Sequence, residues 1–216
     1  MTKTAAPSLD TRVRDSSRRR RDAERTSVRD AIFAAAEALL LEHGYEGFSL
    51  RQVAERIGYT PTTIYRHFAD RDALIFALTD AGFREFGARL HAAAAAAPAA
   101  DRVLTALGDA YIQFGLDHPV YYRLMFLQRP DYLVATPPDS DEMRLDSFRV
   151  LRDAVDRALP PGVAEAMGGP DALADVLWAT VHGVVALALT MPHFDAARTA
   201  AMRAGALALL DRALHA

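Results

Sequence analysis

Five of the six residues from 62 to 67, near the amino end of this chain, have side chains that can donate hydrogen bonds. They are Thr62, Thr63, Tyr65, Arg66 and His67. Ile64 and Phe68 lie four residues apart in the same stretch, which is the spacing of one helical face. The pattern predicts a short helix with an apolar inner side and an outer side suited to phosphates and DNA base edges. A solvated surface helix without a partner would have the same composition, so the wider context has to decide.

Signals for helix ends make this stretch the second helix of a helix-turn-helix. Ser49 and Gln52 have the spacing of a capping box, which predicts the start of the preceding helix. Gly58 can end that helix in a left-handed conformation, since it has no Cβ to clash. Thr60 is a good cap for the next helix, which we predict to run to Phe68. Two helices joined by a short turn that contains glycine form a helix-turn-helix.

The segment from Ala31 to Leu74 resembles the N-terminal DNA-binding domain of the TetR family of bacterial transcriptional regulators. The shared features include an Ala-rich first helix, the Gly44-Tyr45 break, the Val53-Ala54 pair and the Thr-Ile-Tyr core of the recognition helix. One departure is Arg71, where the family usually carries Lys; Arg reaches a phosphate with a planar fork instead of a point charge. The resemblance implies double-stranded DNA as a partner, bound at a palindromic operator.

Each donor then has an expected role on DNA. Base-edge contacts are predicted for Thr62, Thr63 and Arg66. Phosphate contacts are predicted for Tyr65, His67, Arg71 and Arg51. Thr60 is expected to cap the recognition helix and can also touch the DNA backbone.

The charge distribution agrees with a DNA-binding head on an acidic body. The net charge of the 216 residues is −3, yet residues 1–72 carry 13 Lys and Arg against 11 Asp and Glu. The remaining residues carry 12 against 17. Local basic clusters on a nearly neutral head suit a sequence-specific regulator better than a general nucleic-acid coat.

Helical patterns along the chain predict an all-α protein of about nine helices in three regions. Residues 1–24 lack apolar periodicity and are predicted to be a disordered basic arm, which could follow the DNA backbone or remain a solvated tail. Residues 25–72 form the predicted helix-turn-helix domain. Residues 73–216 form the predicted helical domain for ligand binding and dimerisation. The six alanines before Pro98 are read as a helix end, because alanine has the highest helix propensity.

The C-terminal region has a second, shorter resemblance. Asp117–Phe126 and the segment with Trp178, His182 and Gly183 resemble the C-terminal domain of a TetR subgroup marked by Trp, His and Gly. The resemblance implies a homodimer through the last two helices, packed as a four-helix bundle. Small residues in these helices would allow close approach, although they could equally pack within one subunit.

A set of large, mostly apolar residues with a few polar tips predicts a pocket for a small hydrophobic effector. The predicted ligand-binding residues are Tyr111, Phe114, Tyr122, Met125, Phe126, Phe148, Trp178 and His182. Aromatic residues at helical spacing also fill ordinary cores, and that interpretation stays open here. His182 by itself is more typical of a core or interface histidine than of a ligand contact.

Other classes of site find little support in the sequence. The chain has no cysteine, its seven histidines include no i,i+4 pair, and no phosphate-binding glycine loop is present. We therefore predict no catalytic site, no metal and no cofactor. No signal peptide is recognised and the longest apolar stretch, Gly183–Met191, is short for a membrane span, so a cytoplasmic protein without a membrane partner is expected.

The sequence thus predicts a homodimeric, ligand-responsive transcriptional regulator, expected to be a repressor that a small hydrophobic effector releases from DNA. Two alternatives remain at this stage. One is a constitutive DNA-binding regulator, or an activator, whose body only dimerises. The other is an enzyme or carrier of small molecules with a vestigial head.

Overall fold

The computed structural model describes residues 9–128, 138–159, 162–166 and 168–215, and every regular element in these ranges is helical. The α-helices are α1 (Leu9–His43), α2 (Leu50–Ile57), α3 (Pro61–Tyr65), α4 (Arg71–Ala96), α5 (Val103–Asp117), α6 (Pro119–Tyr122), α7 (Pro138–Ala158), α8 (Val163–Ala166), α9 (Pro170–Thr190) and α10 (Ala196–His215). A 3₁₀ turn (Ala100–Arg102) precedes α5, and a π-helical turn (Arg123–Leu127) follows α6. The all-α prediction is confirmed.

The chain forms two compact units that meet in sequence between Leu74 and Ile75. This boundary lies within the first turn of α4, two residues beyond the predicted end of the head at residue 72. The first unit contains α1, α2 and α3, and the second contains α5 to α10. The six-alanine stretch is helical to Ala96, as its helix propensity predicts.

Helix ends in the first unit follow the local signals closely. The backbone N–H of Gln52 donates to Ser49 Oγ at 3.3 Å, so Ser49 caps α2. The Ser49 hydroxyl also donates to Gln52 Oε1 at 2.7 Å, which replaces the side-chain-to-backbone bond of a regular capping box. Gly58 ends α2 with φ +70°, the left-handed conformation for which glycine was expected. Asp70 caps α4 by accepting from the N–H of Ala73 at 2.7 Å.

Two predictions about the first unit were wrong. The recognition helix was expected from Thr60 to Phe68, but α3 ends at Tyr65. Beyond it the backbone tightens, and the N–H of His67 bonds the carbonyl of Ile64 at 2.9 Å, three residues back. The predicted disordered arm is helical from residue 9 onward, within α1, and residues 1–8 lie outside the described residues. Arginine is a strong helix former, so helix propensity extends the segment without an apolar face.

The second unit is built around one apolar core to which α4, α5, α7, α9 and α10 all contribute. Helical periodicity predicts a helix from Asp141 to Leu159 and a break from Pro160 to Pro170. In the structure α7 begins earlier, at Pro138, and the short helix α8 lies within that break. The prolines also predict a loop from Arg129 to Pro138, and its residues 129–137 lie outside the described residues. Gly115 lets α5 approach α9 closely, because a Cβ there would stand 2.4 Å from a methyl group of Val185.

Candidate DNA-binding surface and body cavity

The position of α3 is fixed by one cap and two buried side chains. Thr60 Oγ1 accepts from the N–H of Thr63 at 3.4 Å, and Pro61 occupies the first helical position. Ile64 is fully buried and Phe68 nearly so, as their spacing predicted. With that face turned into the unit, the polar side chains between them point outward.

The predicted DNA-binding residues are all at least partly accessible. Arg51, Thr60, Thr62, Tyr65 and Arg66 are exposed, and Thr63, His67 and Arg71 are half-buried. Tyr65 has 56% of its surface exposed, which is unusual for a large aromatic residue and favours a role in binding.

Contacts within the first unit separate these residues into two groups. Arg51 forms an ion pair with Glu55 at 3.0 Å, and the guanidinium of Arg71 lies 4.4 Å from the ring centre of Tyr45. The hydroxyls of Thr60 and Thr63 lie 3.1 Å apart. By contrast, Thr62, Tyr65 and Arg66 are exposed and have no side-chain hydrogen bond to any residue that the structure describes. Their donors are available to an external partner.

The electrostatic field at the end of α3 is positive. Burial lowers the pKa of His67, and the positive charges of Arg25, Arg66 and Arg29 lower it further. Arg29 also lies over the rings of Phe33 and Phe68, with distances of 5.0 and 5.3 Å to the ring centres. Sequence reasoning missed Arg25 and Arg29 as neighbours of α3, although both are basic residues on the solvent side of α1. A cluster of cations beside exposed donors favours a phosphate backbone.

The second unit contains a partly open cavity of about 210 Å³, lined by residues of its helices. Four of the predicted ligand-binding residues line it: Tyr111, Phe126, Phe148 and Trp178. The other four do not line it: Phe114, Tyr122, Met125 and His182. Phe114, Tyr122 and Met125 are instead fully buried core residues.

Most of the cavity wall consists of residues that sequence reasoning did not assign to a pocket. They are Phe83, Phe86, Leu90, Leu104, Leu107, Gly108, Ser147, Leu151, Leu177, Val181 and Leu210. Helical periodicity shows that such a residue faces inward, but it does not distinguish a filled core from a cavity wall.

A hydrogen-bonded network of aromatic side chains stands at one side of the cavity. Trp178 Nε1 donates to Tyr111 Oη at 3.0 Å. Both tyrosine hydroxyls reach His182 Nδ1, that of Tyr122 at 2.6 Å and that of Tyr111 at 3.0 Å, and they lie 3.2 Å from each other. Burial raises the pKa of both tyrosines and lowers the pKa of His182. All four groups are therefore uncharged near neutral pH.

Helix α9 has the length and apolar composition of a candidate membrane span. By length and composition alone, it is long and apolar enough to cross a bilayer, and it is the single such helix in the described ranges. Core helices have the same composition, and α9 contributes Leu173, Ala174 and Val185 to the core of the second unit. Within those ranges no group of three or more His, Asp or Glu side chains could hold a metal ion.

The fold and these sites define an all-α helix-turn-helix regulator with a separate helical body. Family models identify which one. Residues 32–78 match the bacterial regulatory proteins of the tetR family, and residues 104–213 match the tetracyclin repressor-like C-terminal domain. The chain therefore belongs to the TetR family of transcriptional regulators. The Trp-His-Gly subgroup stays a prediction.

Relatives agree with this assignment. The chain is 37% identical over 65 residues to the transcriptional repressor AcnR of Corynebacterium glutamicum, across 30% of this chain and 32% of AcnR. It thus spans about a third of the length of that curated relative. A Rhodococcus sp. RHA1 protein of unknown function has a similar structure, with TM-score 0.71 and 29% identity over 86% of this chain and 94% of the other. A tetR-family regulatory protein from Rhodococcus RHA1, at 18% identity and TM-score 0.65, covers 86% and 96% and shows the same fold.

Proposed function

We propose that this protein is a homodimeric repressor that binds a palindromic operator and is released from it by a small hydrophobic effector. The DNA-binding part of this proposal is supported by the exposed hydrogen-bond donors of α3 and by the positive charges of the arginines around His67. The observation that carries the effector part is the apolar cavity of the second unit. A constitutive regulator would have no use for such a cavity, so the ligand-responsive alternative is favoured. The place of action is the cytoplasm, where the DNA lies.

On DNA, Thr62, Thr63 and Arg66 contact base edges, while Tyr65 and His67 contact phosphates. The first turn of α3 presents Thr62, and Arg66 follows directly after the last turn. An arginine bidentate to guanine gives about 1–3 kcal/mol of discrimination against other bases. The cations Arg25, Arg29 and Arg66 around His67 add attraction that does not depend on sequence.

Arg51 and Arg71 hold phosphates on either side of α3. The Arg51–Glu55 pair is exposed, and exposed pairs contribute at most about 1 kcal/mol. Exchanging Glu55 for a phosphate therefore requires little energy. Arg71 stacks on Tyr45, which restricts the guanidinium before DNA arrives. Thr60 caps α3 and holds its amino end against the backbone of the operator.

Binding assays on paired variants test this division. The operator is first located by footprinting the protein on DNA that flanks its own gene. Arg66→Ala should weaken operator binding by about 1–3 kcal/mol and random DNA much less. Arg71→Ala should weaken both to a similar degree and reduce the salt dependence. Equal losses on operator and random DNA for Arg66→Ala would contradict a base contact.

The dimer forms through α9 and α10. Val176 and Leu187 of α9 are exposed, with 53% and 37% of their surface accessible, as is Met191 directly after α9 with 47%. Leu209 of α10 has 61%. Gly183 lies between Val176 and Leu187 at helical spacing, and an added Cβ there would meet nothing within the chain. Exposed apolar residues grouped on a helix face are typical of an interface. The small residues at this face would allow the helices of two subunits to approach closely.

Sedimentation analysis tests the interface. Leu187→Arg and Leu209→Arg should shift the protein toward monomers, since each places a charge in an apolar contact. Leu41→Arg is the matched control, because Leu41 on α1 is 62% exposed and belongs to the first unit. A dimer that persists equally in all three variants would exclude α9 and α10 as the interface.

Effector binding is coupled to DNA binding through the second unit. Helix α4 begins before the boundary between the units and continues past it, so it is the element through which a change could pass. The effector must bind the DNA-free form more tightly than the DNA-bound form, otherwise it shifts nothing. Coupling of roughly 1–3 kcal/mol would lower operator affinity about 5–150-fold. Footprinting with and without small apolar compounds tests this, and an unchanged footprint at saturating ligand would contradict release.

A further inference from the structure

One polar group in the cavity wall has no partner. Ser147 lies on α7, its surface is only 6% exposed, and it lines the cavity. Its Oγ makes no hydrogen bond to any residue that the structure describes. Leaving a buried hydroxyl without a partner costs roughly 1–3 kcal/mol. A bound molecule that supplies a partner would recover that energy.

The other polar groups at the cavity are occupied by one another. Trp178 has a single N–H, and it donates to Tyr111. The hydroxyl of Tyr122 lies 2.6 Å from His182 Nδ1, and the hydroxyl of Tyr111 has Tyr122 Oη and His182 Nδ1 within reach. The two hydroxyls and the indole N–H therefore have hydrogen-bond partners inside the network. A ligand that accepts a hydrogen bond gains nothing from the Tyr111 hydroxyl or the Trp178 N–H unless it breaks an existing bond.

The rest of the wall is apolar. Of the described residues that line the cavity, none is Lys, Arg, Asp, Glu or His. Six of them are Phe, Tyr or Trp, and six are Leu. A carboxylate or an ammonium group placed here would lose its hydration without an opposite charge in return. The described part of the wall thus selects against charged molecules.

The volume indicates the size of the ligand, or of the part of a ligand, that fits inside this partly open cavity. An apolar cavity of about 150 Å³ holds one benzene molecule. By proportion, a cavity of about 210 Å³ holds a molecule of about eight to ten heavy atoms. This is smaller than the usual drug-sized ligand, whose pockets start at about 300 Å³.

We propose that the cavity binds an uncharged, mostly apolar molecule of this size, with one hydrogen-bonding group that meets Ser147 Oγ. The proposal rests on the ligand-responsive part of the proposed function and adds the chemical class of the effector. It also assigns Ser147 as the residue that distinguishes a ligand with a polar group from a hydrocarbon.

The chain provides its own probe for this test. Trp178 is the single tryptophan of the sequence and lines the cavity. Its fluorescence can be titrated with four molecules that share one alkyl chain: 1-octanol, octane, octanoate and octylammonium. We expect a saturable change with octanol at the lowest concentration, a weaker response with octane, and affinities for the two ions at least about tenfold lower than for octanol.

Two matched variants isolate the hydroxyl of Ser147. Ser147→Ala should weaken octanol binding about two- to tenfold, the net effect of one hydrogen bond, and leave octane binding unchanged or tighter. Thr105→Val is the control, because Thr105 Oγ1 is the other buried hydroxyl without a partner in the described chain and does not line the cavity. This control should bind octanol like the unmodified protein.

The outcomes separate the two proposals. Tighter binding of octanoate or octylammonium than of octanol would overturn the ligand class, as would the absence of any saturable change. Equal effects of Ser147→Ala on octanol and octane would overturn the role of Ser147. Saturable octanol binding that leaves operator affinity unchanged would support the ligand class and contradict effector-driven release.

Discussion

The α3 surface and the aromatic network of the second unit use the same residue types in opposite ways. Tyr65 is 56% exposed, and its hydroxyl meets solvent. Tyr111 and Tyr122 are 5% and 0% exposed, and their hydroxyls bond each other and His182. A polar group in water can exchange its partner for DNA at little cost, whereas a buried one needs a permanent partner. Burial therefore decides whether a tyrosine is available to bind a partner or contributes to the stability of the fold.

The two histidines of these regions sharpen the comparison. Burial is the largest cause that lowers the pKa of both His67 and His182. At His67 the charges of Arg25, Arg66 and Arg29 contribute as well, while burial is the single cause at His182. The first unit thus presents a positive field to an external anion, and the network of the second unit is neutral. Variants of the α3 surface should therefore change DNA binding, and variants of the aromatic network should change the free energy of unfolding.

The largest difference is expected for aromatic truncation. Phe86→Ala should lower the free energy of unfolding by about 3–5 kcal/mol, because Phe86 is 3% exposed and its ring packs against Tyr111 and Phe114. Tyr65→Ala should change it by less than about 0.5 kcal/mol and instead weaken DNA binding. Urea unfolding and operator binding on both variants measure this. A large stability loss for Tyr65→Ala would remove the distinction.

A smaller effect is expected when only a hydroxyl is removed. Tyr122→Phe should destabilise the protein by about 1–2 kcal/mol, because Tyr111 and His182 each lose a partner inside the core. Tyr65→Phe is the matched control and should unfold at the same urea concentration as the unmodified protein. If Tyr122→Phe proved as stable as the control, the network would not contribute to the fold.

Two neighbouring threonines separate capping from recognition within the first unit. Thr60→Ala should lower the free energy of unfolding by about 0.5–1 kcal/mol, the lower part of the range for N-caps, since its bond to the N–H of Thr63 is long at 3.4 Å. Thr62→Ala should leave stability unchanged and reduce operator preference. Thermal unfolding together with binding to operator and random DNA tests both. The reverse pattern would exchange the two roles.

The pH dependence of stability should carry a small contribution from His182. Its pKa is lowered by burial, so as pH falls below the ordinary value of about 6.5 the unfolded chain takes up a proton before the native protein does. The stability that His182 contributes is complete above that pH and decreases as pH falls toward the native pKa. Urea midpoints from neutral pH downward should decline less for His182→Asn than for the exposed control His193→Asn. Parallel curves would contradict this contribution.

The sequence predicted the first unit better than the second for a physical reason. Caps, a left-handed glycine and proline at a first helical position act over a few residues, so Ser49, Gly58 and Thr60 are readable from local sequence. The end of α3 was missed because the switch to i→i−3 bonding after Tyr65 depends on how Ile64 and Phe68 pack. The start of α1 was missed because the absence of an apolar stripe was taken as absence of a helix.

For the second unit, the sequence determined that Tyr111, Phe126, Phe148 and Trp178 are large, mostly apolar side chains. Only the tertiary structure decided that they border a cavity, together with Phe86 and other residues that no motif distinguishes. Whether facing helices fill the space between them depends on side chains far apart in sequence. The same holds for Ser147, since a serine is ordinary in a sequence and becomes a candidate contact only when its neighbours leave it buried without a partner. Residue types and helix caps can be identified from local sequence, but cavities and unsatisfied hydrogen-bonding groups depend on how the helices pack.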